Sequence, residues 1–302
     1  MENVEYMQRI TKIVSYIFVM SILLASKTLF AKEKIYWMEA VAPPFFIHEG
    51  ALKGQGYEDL ITDILKENLP QYDHVSMQAN ISRHYQQWKQ GEPACSLAMH
   101  KTEERKEFVL FSIPSVFTLP HVLIIKKEQF AAFGGTKTVS FKDVLASNNF
   151  IIGRATKRSY GPAFDEILDT YGNQDNLFSY EGPELSLNLF KMLLAGRIQA
   201  MPGLPEEAMY LAETMGLRDQ IMTLSVKENL VDHEPMLTYV ACSKNEWGAK
   251  AIAAINKVLE EQRPTERYRA AYERWLDESS VAEYRRMYKM IFLQADEQYA
   301  TE

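Results

Sequence analysis

An arginine just beyond a buried strand is the residue of this sequence best placed to bind an anion. The apolar run Ala94–Met99 is short enough for a buried strand. Thr102, followed by Glu103 and Glu104, predicts a helix N-cap with an acidic first turn. Arg105 then lies near the carboxyl end of a strand, where open α/β sheets bind ligands. From composition alone, however, a solvated surface charge is the commoner role for such an arginine.

Length and charge restrict the class of protein. The 302 residues suffice for one large or two ordinary domains, and 47% of them are hydrophobic. The formal net charge is −7 and no Lys/Arg-rich run is present, which argues against a nucleic-acid partner. The six histidines form no compact metal-binding pattern, and no nucleophile elbow or phosphate loop occurs. We therefore expect no metal, no cofactor and no catalytic residue.

The first 31 residues have the composition of a signal peptide. Arg9 and Lys12 precede an apolar run from Ile13 to Ala25, which is too short to span a bilayer but suits the apolar core of an export signal. Cleavage after Ala31 is the preferred interpretation, and an uncleaved anchor is the alternative. Since no cysteine follows the cleavage site, export without a lipid anchor indicates a Gram-negative periplasm.

The stretch around the arginine resembles a segment of the family 3 extracellular solute-binding proteins, in their polar amino acid branch. The family pattern is Thr-Pro-Glu-Arg-x-x-x-x-x-Phe-Ser-x-Pro. The matching residues here are Thr102, Glu103, Glu104, Arg105, Phe111, Ser112 and Pro114. In that family the arginine binds the α-carboxylate of the ligand, and a planar guanidinium suits this role because it can donate two parallel hydrogen bonds to a carboxylate. The resemblance thus implies that Arg105 binds an anionic group.

Other parts of the pocket follow from the same resemblance. A turn ending in Phe45 and Phe46 implies that one of these rings packs on the ligand. Met99 or His100 would contribute from the strand end. Aligned on Gly153, two threonines of the family fall on Arg158 and Ser159, which would complete the pocket from the second lobe. A core position is an equally good interpretation for each phenylalanine. For Arg158, an outward position on the surface is equally good.

One departure from the family concerns the acid that usually binds the α-ammonium group. That aspartate should fall near Leu204 or Pro205, where no acid stands. Glu206 is the nearest candidate. A free α-amino acid is therefore a less secure ligand than the family name implies.

The resemblance covers Ile35 to Trp275 and implies an α/β fold of the type II periplasmic binding protein kind. Each of two lobes is then a mixed sheet flanked by helices, and two crossings form the hinge. The predicted segments are a signal peptide (1–31), lobe I (32–118 and 238–276), lobe II (119–237) and a C-terminal helical tail (277–302). We expect the tail to pack on its own lobe, with contact to a partner as the alternative.

Two cysteines, Cys95 and Cys242, each lie in a short apolar run. In an oxidising compartment they can pair, and in the resembling family the matching strands are antiparallel neighbours. A disulfide and two buried free thiols both fit the sequence.

The expected function is a periplasmic solute-binding protein. It would capture a small polar or anionic, amino acid-like solute between its lobes and deliver it to the membrane subunits of an ABC importer, or else present it to a sensor kinase. One alternative is a lyase of the cyclohexadienyl dehydratase type, in which Glu58 or His100 would serve as general acid or base. The other is a sensory or interaction protein with a degenerate pocket.

Overall fold

The computed structural model describes residues 32–156, 158–229 and 236–294. The predicted signal peptide, with its cleavage site after Ala31, lies outside the described residues, as do residues 295–302 of the predicted tail. Within the described ranges, no helix is both long enough and apolar enough to cross a membrane.

The first lobe is built on a five-stranded sheet whose last strand comes from a distant part of the chain. Its strands are β1 (Glu33–Glu39), β2 (Tyr72–Gln78), β3 (Ala94–Met99), β4 (Val109–Phe117) and β11 (Leu237–Ser243). The order is β2-β1-β3-β11-β4, with β1 parallel to β2 and β3, and β11 antiparallel to β3 and β4. Every residue of β11 is buried, as an apolar strand with neighbours on both sides requires.

Helices cover both faces of this sheet. They are α1 (Tyr57–Asn68), α2 (Ile81–Lys89), α3 (Glu103–Lys106), α8 (Glu246–Gln262), α9 (Glu266–Glu273) and α10 (Glu278–Met287). The helical period of the sequence predicts that Leu60, Ile61, Ile64 and Leu65 of α1 face inward; the last three belong to the larger core, and Leu60 packs against it half-buried. A smaller core around Trp88 of α2 fills the opposite face.

The second lobe has a six-stranded sheet. Its strands are β5 (Val122–Lys126), β6 (Thr138–Val139), β7 (Ile152–Ala155), β8 (Leu177–Tyr180), β9 (Ala200–Gly203) and β10 (Ile221–Val226), in the order β6-β10-β5-β9-β7-β8. Its helices are α4 (Phe141–Ala146), α5 (Pro162–Tyr171), α6 (Leu185–Leu194) and α7 (Pro205–Thr214). Separate apolar cores lie on its two faces, so each lobe has its own interior.

The chain passes between the lobes twice. Residues 118–121 lead from β4 to β5, and the segment between β10 and β11 returns. β11 begins at Leu237, one residue before the start that the sequence predicts for the second part of lobe I. The division into lobes at those positions stays a prediction.

The two cysteines lie opposite each other in the first sheet. Cys242 of β11 pairs in register with Cys95 of β3, and the two are joined by a disulfide. The bond links strands that are 147 residues apart in sequence.

The C-terminal helices cover the outer edge of β4, which is the edge strand of the first sheet. The Tyr268 hydroxyl donates to the Ser115 carbonyl at 2.6 Å, and the Tyr284 hydroxyl donates to the Phe117 carbonyl at 3.1 Å. The Phe117 ring also stacks on Phe292, at 6.0 Å between ring centroids. The two hydroxyls thus donate hydrogen bonds to carbonyls of β4 that have no neighbouring strand on that side to bond with. The predicted tail thus contacts its own lobe.

The start of α10 contacts the second lobe as well. Thr223 of β10 donates to the N-cap carboxylate of Asp277 at 2.5 Å, and Ser280 donates to the same oxygen at 2.7 Å. The Lys137 ammonium donates to the Ser279 hydroxyl. The C-terminal segment therefore touches both lobes.

Candidate functional site

A cavity of about 560 Å³ lies between the two lobes, beside the first crossing. Its volume is in the range of small-molecule sites. The described residues that line it are Phe45, Tyr57, Ala98, His100, Thr118, Leu119, Pro120, His121, Tyr160, Gly161, Pro162, Ala163, Leu204, Glu206, Glu228, Asn229, Met236 and Thr238. Both lobes and both crossings thus supply parts of the wall.

Phe45 reaches the cavity because its loop is fastened to the start of α1. The Phe45 carbonyl accepts a hydrogen bond from the Glu58 amide at 3.0 Å, and the Asp59 carboxylate accepts from the amides of Ile47 and Gly56 at 2.9 and 3.0 Å. A Cβ on Gly56 would lie 2.1 Å from the Phe45 oxygen, so only glycine permits this approach. Gly56 therefore allows the Phe45 loop to pack against the start of α1.

The wall of the cavity carries several aromatic rings and few ionisable groups. The rings of Phe45 and Tyr57 lie 5.2 Å apart, and His121 meets Tyr160 edge to face at 5.7 Å. Burial, and then the nearby Arg158 guanidinium, lower the pKa of His121 to about 4. Partial desolvation lowers the pKa of His100 as well. Both imidazoles are therefore neutral at pH 7.

Glu206 presents a buried carboxyl group to this wall. It is the second residue of α7, because Pro205 opens that helix, and its exposed fraction is 1%. Burial raises its pKa to about 7, although the helix-start amide and the Tyr272 hydrogen bond oppose the shift. The Tyr272 hydroxyl donates to Glu206 Oε2 at 2.8 Å and accepts from the Leu119 amide at 3.0 Å. These two hydrogen bonds of Tyr272 connect lobe II, lobe I and the first crossing.

Glu228, the second acid on the wall, already has protein partners. Its carboxylate accepts from the Ser140 hydroxyl at 2.9 Å and from the amides of Phe141 and Lys142 at 3.1 and 3.3 Å. These bonds cap the start of α4, and together they lower the pKa of Glu228 although burial opposes them. Glu228 is thus a structural anion.

The family assignment follows from the sequence match and agrees with this architecture. Residues 35–278 match the model of the bacterial extracellular solute-binding proteins, family 3. This chain belongs to that family. It is a solute-binding protein that works outside the cytoplasm, as the resemblance predicts, and the family favours a binding role over an enzymatic one.

Solved structures with the same fold come from several sources. The second substrate-binding domain of GlnP from Lactococcus lactis, in an open conformation, has a TM-score of 0.62 at 15% identity, over 82% of this chain and 97% of that one. A polar amino acid ABC uptake transporter substrate-binding protein from Streptococcus thermophilus gives 0.60 at 17%, over 84% and 91%. An ancestral cationic amino acid solute-binding protein gives 0.61 at 16%, over 81% and 96%. No curated protein sequence matches the chain. The predicted two-lobed α/β fold is confirmed.

Arg105, the predicted anion-binding residue of this solute-binding protein, lies beside the cavity but does not line it. Thr102 caps its short helix, accepting from the Arg105 amide as predicted. The guanidinium donates through Nε to the Tyr85 hydroxyl at 2.9 Å and through Nη1 to the His100 carbonyl at 2.7 Å. Arg105 therefore touches the wall through the backbone of a wall residue.

The residues predicted from lobe I divide between wall and core. Phe45 and His100 line the cavity. Phe46 has 2% of its surface exposed and stacks on His48, and Met99 has 8% exposed and belongs to the core around Trp88. Of each predicted pair, the structure places one member on the wall.

The two residues predicted from lobe II have partners of their own. Arg158 forms an ion pair with Glu207 at 3.0 Å and donates to the Ser186 hydroxyl at 2.6 Å. Ser159 donates to the Asp165 carboxylate at 2.5 Å near the start of α5. The structure does not bring either of them onto the cavity wall.

The sequence did not predict several wall residues. Tyr57 is not among the residues that the resemblance marks for the site, Tyr160 directly follows Ser159, and Glu206 is named only as the acid nearest to a missing aspartate. His121 and Asn229 belong to the crossings. The Asn229 amide donates to the His121 carbonyl at 2.9 Å and so ties the two crossings together. No local signal marks such a contact between distant segments.

Proposed function

We propose that this protein captures a small amino acid-like solute between its lobes and delivers it to the membrane subunits of an ABC importer. The observation that supports the proposal most directly is Glu206, a buried carboxyl group on the wall of an interlobe cavity. An ammonium group is the ligand chemistry that such a carboxylate attracts. The neighbouring aromatic rings offer packing surface for an apolar ligand body.

We place this activity in the periplasm, after removal of residues 1–31 as a signal peptide. A sensor kinase is a less favoured partner, since the family serves mainly importers. Binding of an anionic group by Arg105, or by Arg158 with Ser159, stays a prediction, because each side chain would have to turn from its present partners into the cavity. Phe45 and His100 are proposed as direct contacts.

The test is a thermal-shift screen of the purified protein against amino acids, amines, dicarboxylates and small anions. A ligand at about a hundred times its dissociation constant adds about 2.7 kcal/mol to the free energy of unfolding. Glu206→Gln should abolish the shift. Glu207→Gln removes the same charge one residue away, off the wall, and is the matched control.

Several outcomes test the proposal. The absence of any shift contradicts the proposal, and a shift that persists in Glu206→Gln shows that Glu206 does not bind the ligand. Loss of the shift in Arg105→Ala would show that this guanidinium reaches the ligand. Recovery of the ligand intact after long incubation, measured by mass spectrometry, separates a receptor from a lyase, and uptake of labelled ligand by cells with and without the gene tests delivery.

A further inference from the structure

The charges around the cavity are unsuited to a ligand carboxylate. Among the described residues that line it, Glu206 and Glu228 are acidic and none is lysine or arginine. The Arg105 guanidinium donates to Tyr85 and His100, and the Arg158 guanidinium pairs with Glu207. Burying a carboxylate without a cationic partner is strongly unfavourable, and the Glu228 anion on the wall adds repulsion. An α-amino acid would bring such a group into this cavity.

The same wall suits a cation. Glu206 Oε2 accepts from Tyr272, and an ionised carboxylate has further acceptor positions on both oxygens for the N–H groups of an ammonium ion. Phe45, Tyr57 and Tyr160 contribute aromatic rings to the wall, and the faces of aromatic rings attract cations and pack against hydrocarbon. The ordinary partner of a buried carboxylate is a cation that is desolvated with it.

The two histidines of the wall are compatible with such a ligand. A protonated imidazole beside the ligand would repel an ammonium ion. Desolvation lowers the pKa of both His100 and His121, helped by Arg105 and Arg158 respectively, so both rings are neutral at pH 7. Each neutral ring can still accept or donate one hydrogen bond.

We propose that the ligand of this cavity is an organic amine without a carboxylate, whose ammonium group binds Glu206 and whose body packs on Phe45, Tyr57 and Tyr160. This inference rests on the proposed solute-binding function and replaces its amino acid-like ligand with an amine. It departs from the amino acid ligand that the family resemblance implies.

Matched pairs of ligands test the inference on the unaltered protein. Each amine is compared by isothermal titration calorimetry with the amino acid that differs from it only by a carboxylate: histamine with histidine, phenethylamine with phenylalanine, agmatine with arginine, and cadaverine with lysine. At least one amine should bind at least about tenfold more tightly than its parent, the cost of one unpaired polar group. Glu206→Gln should weaken that amine by about tenfold or more, and Glu207→Gln by less than about threefold.

The opposite results would overturn the inference in distinguishable ways. If the amino acid of every pair binds more tightly, and Arg105→Ala removes that preference, the cavity recognises a carboxylate through Arg105. If no amine binds but a dicarboxylate or another solute does, the amine inference fails while the receptor function stands. If no compound of the thermal-shift screen and no member of the matched pairs binds, the amine inference and the proposed receptor function both fail.

Discussion

Replacing Glu206 by glutamine should remove a cost that the folded protein incurs above pH 7. Burial raises the pKa of this carboxyl from its ordinary 4.5 to about 7. Between these pH values the unfolded chain releases the proton while the folded protein keeps it, so the free energy of unfolding falls as pH rises and levels off above about pH 7. At about 1.4 kcal/mol per pH unit, the whole difference is worth about 3 kcal/mol.

The groups that face Glu206 do not cancel this dependence. Tyr57 and Tyr272 have pKa values raised well above the ordinary value, chiefly by burial, so they keep their protons over this range. The Glu207 carboxylate raises the pKa of Glu206 and the Arg158 guanidinium lowers it, and these two are paired with each other. Burial of Glu206 is the largest cause of the shift.

The assay is urea denaturation of the wild type and of Glu206→Gln, with the disulfide intact, at several pH values from about 5 to about 8. The unfolding free energy of the wild type should fall relative to the variant by about 2 to 3 kcal/mol across this range. Glu207→Gln should keep most of this fall, because burial is the largest cause of the raised pKa of Glu206 and the Glu207 carboxylate is a smaller one. A wild-type-to-variant difference that stays constant within about 0.5 kcal/mol would refute the assignment of Glu206 as a buried, protonated acid.

Three further predictions concern the elements that support the site. Cys95→Ser should cost about 4 to 5 kcal/mol by chain entropy, because the disulfide spans 147 residues, and a loss under about 1 kcal/mol in urea denaturation would contradict this. Gly56→Ala should displace the Phe45 loop, since the new Cβ would lie 2.1 Å from the Phe45 carbonyl oxygen. The displacement should weaken ligand binding by about tenfold or more. An unchanged affinity in calorimetry would contradict the role of Gly56 in placing Phe45 on the cavity wall. Tyr284→Phe should lower the free energy of unfolding by about 1 to 3 kcal/mol, because a buried strand carbonyl loses its donor; equal urea midpoints for the variant and the wild type would rule this out.

Local signals in the sequence predicted much of the fold. Thr102 caps its helix because its hydroxyl accepts a hydrogen bond from the Arg105 amide, and this depends on sequence neighbours alone. The apolar period of α1 predicts its buried face for the same reason. The order of such elements identified the two-lobed architecture, and the family match confirms it.

The site was harder to predict because its side chains are directed by residues far away in the chain. The spacing around Arg105 places its backbone near a strand end, but the orientation of its guanidinium depends on Tyr85, which lies on another helix. Glu206 is held by Tyr272, which is 66 residues away and in the other lobe. A sequence segment specifies which residue lies near the cleft. Tertiary contacts decide whether the side chain of that residue faces the cleft.

The C-terminal segment, which extends past the end of the resembling sequence, contacts the first lobe beside the hinge and also contacts the second lobe. Tyr284 binds the last carbonyl of β4, and the crossing begins at the next residue. A few residues before Tyr284, Asp277 binds Thr223 of lobe II. Any rotation of the lobes must therefore turn about the Asp277 contact or break it. Tyr272, in the preceding helix α9, joins the first crossing to Glu206, so a ligand that binds the Glu206 carboxyl would contact a group already hydrogen-bonded to the hinge.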